Sequence, residues 1–133
     1  MEVQGKKVAF LGDSITAGVG ASELCYSYPR VFEKLANCEV FVDGISATRI
    51  APQKDADIIV VFGGTNDFGH GNAPFGEFAD RETDTFCGSM HTLCQTLMQT
   101  HPKATVIFMT PLHRTMEDYE INEIGLPRKK LFA

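Results

Sequence analysis

An α/β fold, with a parallel sheet and helices on both of its faces, is what this 133-residue sequence predicts. Three observations lead there. Short apolar runs rich in Val, Ile and Phe alternate with segments of helical periodicity. The runs are apolar at consecutive positions, as strands covered on both faces are. Each run then stops at glycine, hydroxyl or other small polar residues, the composition of a working edge rather than a core.

Val8-Ala9-Phe10-Leu11 is the first such run, and it breaks at Gly12-Asp13-Ser14. A glycine-containing stretch, Ala17 to Ser22, follows. Ser27-Tyr28-Pro29 is a helix-start signal, with proline suited to the first turn, and Val31, Phe32, Leu35 and Ala36 give the helix one apolar stripe. Glu39 to Asp43 is the second strand, running out at Gly44-Ile45-Ser46. Asp57 to Phe62 is the strongest strand, apolar throughout and expected at the sheet centre, and it ends at Gly63-Gly64-Thr65-Asn66-Asp67. Phe68 to Phe78 reads as a glycine-rich loop lining a substrate site. Arg81 to Thr100 reads as a helix burying Phe86, Cys87, Met90, Leu93, Cys94, Leu97 and Met98, with His91 at its boundary. Ala104 to Met109 is the fourth strand. Residues 1–115 are expected to form the core; 116–133 are a polar excursion and the start of a further helix in the same, incomplete domain.

Composition narrows the function. The net charge of −5 argues against a nucleic-acid or anionic-membrane surface, since both require a concentrated basic face. The first apolar run, about four residues, falls short of the roughly 7–15 of a secretory signal and the ~20 of a membrane span, so the expected location is the cytoplasm. Cysteines 25, 38, 87 and 94 form no Cys-x-x-Cys pair, and Cys87 and Cys94, on the apolar face of a helix, read as buried free thiols. Cys87, His91 and Cys94 have metal-ligand spacing but no second cluster to complete a site, so no metal and no cofactor is expected.

In an open parallel sheet, ligands gather outside the carboxyl ends of the strands. Three of these ends carry groups useful in acyl transfer. Ser14 offers a hydroxyl nucleophile. Gly44 lets a backbone N–H approach an oxygen closely, and Asn66 offers an amide donor. Preplaced donors of this kind stabilise the charge that develops on a carbonyl oxygen, and losing one typically costs about 3–4 kcal/mol of transition-state stabilisation. Asp13 and Ser14 also suit a plain turn or helix cap.

Gly12-Asp13-Ser14 after the first strand, Gly44 after the second and Gly64-Thr65-Asn66-Asp67 after the third resemble the first three blocks of the SGNH (GDSL-type) hydrolases, over about residues 7 to 114. The resemblance implies a flavodoxin-like three-layer sandwich of strand order 2-1-3-4, without the family's fifth strand and last helix. It also implies esterase or lipase chemistry on small ester substrates, including acyl groups on carbohydrates. Ser14 would be the nucleophile; its N–H, the Gly44 N–H and the Asn66 side chain would form the oxyanion hole. Asp13, Thr65 and Asp67 would shape the loops. The family's Asp-x-x-His block, which supplies the general base near the C-terminus, is expected to be missing from this chain altogether. His70 and His113 follow strand ends on the working edge and are candidates for substrate-loop residues.

Serine is a poor nucleophile without a base, so weak or absent turnover is expected. Two other readings stay open: a binding module on a hydrolase-like fold, and a flavin-binding protein using Ser14 and Thr16. Arg49 and Arg114 favour an anionic substrate or pair with Asp43 and Glu117. With no fifth strand, Val106-Ile107-Phe108 is expected on an exposed edge, inviting self-association.

Overall fold

The computed structural model describes residues 2–43, 55–70, 73–110 and 112, the side chains of 68–70 excepted. Among these, the elements in chain order are β1 (Lys7–Gly12), α1 (Ser14–Ala17), a 3-10 turn (Leu24–Tyr26), α2 (Tyr28–Ala36), β2 (Glu39–Asp43), β3 (Ile58–Phe62), α3 (Thr65–His70), α4 (Phe86–Thr100) and β4 (Thr105–Met109). The strands form one parallel sheet in the order β2-β1-β3-β4. That is the α/β class and strand order expected. Contacts divide the chain into two compact units, Met1–Gly63 with Met98–Met109, and Gly64–Leu97 with Thr110–Ala133.

The sheet lies in the first unit. β3 is buried at every position, as its unbroken apolar run requires of a central strand. Val8, Phe10, Val40, Ile58 and Val60 share one face and form the core cluster, with Tyr28 and Phe32 of α2 packed on it. Phe10 meets the rings of Tyr28 and Phe32 edge-on at 5.5 and 5.4 Å, and Tyr28 meets Phe62 in the same way at 5.8 Å. This packing corrects the expected stripe of α2. Tyr28 and Phe32, one turn apart, face the sheet, which turns Val31 and Leu35 to solvent. The β2 end of the sheet is tied to α2 by Glu33, which accepts the Val40 N–H and an Arg30 hydrogen bond, each at 3.0 Å. Arg30 also donates to the Val40 carbonyl at 3.1 Å.

In the second unit α4 starts at Phe86, five residues later than the periodicity suggests. Thr85 accepts the Gly88 N–H at 3.1 Å, and the carbonyls of Pro74 and Phe75 accept those of Phe86 and Cys87. These bonds satisfy first-turn donors that lack partners inside the helix. Asp80 accepts the Glu77 N–H and the Thr85 hydroxyl, holding the preceding residues in a turn. Phe75 stacks on Phe86 at 5.7 Å. Cys87 and Leu97 are buried as expected, but Met98 is exposed. Among the described residues, no helix is long and apolar enough to cross a membrane.

Candidate active site

Strand order 2-1-3-4 places the two neighbours of β1 on opposite sides of it, so the chain changes direction there. Such a switch point, at the carboxyl edge, is where open α/β sheets bind ligands. Register sets Gly12 beside Phe62, so β1 and β3 run out at the same edge. Asp13 and Ser14 leave from that edge.

Asp13 caps α1: its Oδ1 accepts the Ile15 N–H at 3.0 Å and its carbonyl accepts the Ala17 N–H at 3.1 Å. Its carboxylate is thereby committed to holding the turn. Ser14, the first residue of α1, is exposed, and among the described residues its hydroxyl has no hydrogen-bond partner. Gly18 closes the helix in the left-handed region at φ 101°, which glycine adopts without strain, and donates to the Ile15 carbonyl.

The turn is anchored from below by a contact between Thr16 and Tyr28. Thr16 is fully buried, and its hydroxyl lies 2.9 Å from that of Tyr28. Burial pushes the Tyr28 hydroxyl above its ordinary pKa; the Thr16 hydrogen bond works the other way and the nearby Asp13 charge adds to the rise. Gly12 is required by close approach, since a Cβ there would collide with Thr16 Oγ1 and the Phe62 carbonyl. The available signal was the hydroxyl two residues beyond Ser14, followed by an aromatic residue at a helix start.

In the second unit, Thr65, Asn66 and Asp67 form the first turn of α3, with Asn66 and Asp67 exposed. The helix begins earlier than the predicted loop allows, so residues 68–70 belong to it. Asp67 suits the positive end of the helix dipole. Asp67 and His70 are themselves spaced Asp-x-x-His and sit at helical positions three apart, which corrects the expectation that this spacing is missing from the chain. Gly44, Arg49, His113, Arg114 and Glu117, and the His70 side chain, lie outside the described residues. Asp43, just before Gly44, pairs with Leu11 at the carboxyl end of β2.

None of the four cysteines forms a disulfide, and burial raises the pKa of the Cys38 and Cys94 thiols, which disfavours the reactive thiolate. Among the described residues, no group of three or more His, Cys, Asp or Glu side chains is placed to hold a metal ion.

Residues 10–129 match the model of the GDSL-like Lipase/Acylhydrolase family. No curated protein matches the chain. A solved structure from Lactobacillus plantarum is similar at a TM-score of 0.77 and 28% identity, over 95% of this chain and 68% of that one. A second, described as a "possible lipase" from Chitinophaga pinensis, is similar at a TM-score of 0.65 and 26% identity, over 82% of this chain and 49% of its own. A third crystal structure gives a TM-score of 0.78 at 27% identity, over 96% of this chain and 70% of its own.

Proposed function

Because the chain belongs to the GDSL-like lipase/acylhydrolase family of ester hydrolases, we propose that Ser14 is the nucleophile of a serine ester hydrolase. Its Oγ attacks the acyl carbonyl carbon, and the carbonyl π electrons move onto oxygen. The Ser14 N–H, the Gly44 N–H and the Asn66 amide receive that charge. The base takes the Ser14 proton during attack and gives it to the leaving oxygen as collapse breaks the acyl C–O bond, so the alcohol departs neutral; water, deprotonated by the same base, then hydrolyses the acyl-enzyme and restores Ser14. One observation carries the reading: an exposed Ser14, with its hydroxyl unpartnered among the described residues, on a capped turn at the carboxyl edge of β1.

The general base is assigned between His70 and His113, which follow strand ends at this edge in the sequence. Asp67, three residues before His70, is the natural candidate to orient it. Removing whichever of the two histidines serves as base should leave only about 10³–10⁴ of acceleration over water. The test is hydrolysis of an aryl acetate ester by the chain and its Ser14→Ala, Asn66→Ala, His70→Ala and His113→Ala variants. Ser14→Ala should abolish turnover, and Asn66→Ala should lower kcat by about 10²–10³. Ester binding without turnover in the unmodified chain favours the binding-module reading instead.

The proposal extends to self-association. Among the described residues β4 pairs with β3 alone, and Phe108 and Met109 are exposed. An apolar edge strand offers unpaired backbone groups to a second copy. Sedimentation should show a concentration-dependent dimer that Phe108→Lys weakens.

A further inference from the structure

The segment after α1 exposes three large apolar side chains within eight residues: Val19 at 69%, Leu24 at 72% and Tyr26 at 60% of their full accessible surface. This is an ordered piece of chain. The Val19 N–H donates to the Ser14 carbonyl at 2.9 Å, and the Ala21 N–H to the Gly18 carbonyl at 3.1 Å. The Tyr26 and Ser27 N–H groups donate to the carbonyls of Glu23 and Leu24 at 2.9 and 3.1 Å. Leu24 lies over Gly18, where a Cβ would stand 3.1 Å from its Cδ2. Gly18 is the cap of the four-residue helix that begins at Ser14. The segment bearing these side chains is thus fastened to the turn that begins at Ser14, through the Val19 backbone and through Leu24 against Gly18, about one helical turn, or ~6 Å, along the chain axis from Ser14.

A backbone fixed by its own hydrogen bonds while displaying apolar side chains to water gives up the stabilisation their burial would bring, as ligand-binding surfaces do. Resting on the reading of Ser14 as nucleophile, we propose that Val19, Leu24 and Tyr26 form a ledge that takes the apolar acyl chain of the ester. The acyl carbonyl then sits at Ser14 and the chain runs along the ledge. This makes medium-chain esters the favoured substrates over acetates. A methylene half-covered on such a surface contributes about twofold in affinity, half the free-energy gain of a fully buried one.

The test reads binding separately from catalysis. N-methyloctanamide and N-methylacetamide, uncharged and unreactive, are titrated into the isotope-labelled protein while backbone amide resonances are followed. Ser14 labelling by ethyl and octyl fluorophosphonates is measured in parallel. The octanamide should shift the amides of residues 18–27 and Ser14 with a midpoint at least ~10-fold below that of the acetamide. Leu24→Gln with Tyr26→Ser, both exposed positions, should remove that difference while the remaining spectrum is unchanged. Equal midpoints, shifts centred elsewhere, or octyl and ethyl probes labelling Ser14 equally fast would overturn the ledge. Broadening of residues 19–26 with protein concentration alone would also overturn it, by assigning the surface to a second copy. Octanamide binding at the ledge with Ser14 inert to both probes would leave an apolar ligand site standing and remove the nucleophile.

Discussion

The hydroxyls of Thr16 and Tyr28 meet at 2.9 Å, joining the turn that begins at Ser14 to the helix packed on the sheet. Thr16 is fully buried, so its hydroxyl is satisfied by protein rather than by bulk water. Tyr28→Phe leaves that group without this partner, and Thr16→Val does the same to Tyr28. Each should cost about 1–3 kcal/mol. In a double-mutant cycle the two costs should be clearly less than additive, because both variants break one bond. Urea midpoints at constant slope provide the measurement; full additivity would show that the hydroxyls are not coupled.

The same contact gives an alkaline limit to stability. Burial, the largest cause, raises the Tyr28 pKa above its ordinary value of 10.0. The folded state therefore holds the proton more tightly than the unfolded chain. That stability is fully present below the unfolded pKa and is lost as pH rises from there through the folded value. Unfolding free energy measured across this range should fall for the native chain, and less steeply for Tyr28→Phe. Parallel pH curves would contradict the burial argument.

Glu33 sets the corresponding acid limit. The Val40 N–H, the largest cause, and the Arg30 guanidinium hold its carboxyl below the ordinary 4.5. Its contribution is present above the unfolded pKa and is lost as pH falls through the folded one. Glu33→Gln should flatten stability in that window and lower it near neutrality by roughly 1 kcal/mol, as expected for loss of a charge-assisted bond at a partly exposed site. Thermal unfolding across the acid range tests this.

Gly12→Ala is expected to be among the most damaging single changes in β1. The added methyl would strike Thr16 Oγ1 and the Phe62 carbonyl, at the point where β1 and β3 run out together. Overpacking of this kind costs roughly 1–3 kcal/mol. A midpoint unchanged from the native protein would show that the turn has room the geometry denies.

Much of this was legible in the sequence because strands covered on both faces leave an unambiguous mark. Ile58 to Phe62 is continuous and apolar, and it is buried at every position. The ends of β1 and β3 were readable for the converse reason, since glycine and hydroxyl residues interrupt those runs. Amphipathic helices proved harder. In α2, Val31 and Leu35 share the helical spacing of Phe32 and Ala36, yet only packing by the Tyr28 and Phe32 rings decides which side faces the sheet. The start of α4 was invisible because it depends on carbonyls from Pro74 and Phe75, ten or more residues upstream. The Thr16–Tyr28 bond spans twelve positions and leaves no periodic trace.

Mass spectrometry of the protein after treatment with a fluorophosphonate tests the central claim most directly. The account predicts a single covalent adduct on the peptide containing Ser14, absent from the folded Ser14→Ala variant. An adduct at another residue, or an unmodified Ser14 under conditions that label a serine hydrolase standard, would contradict it.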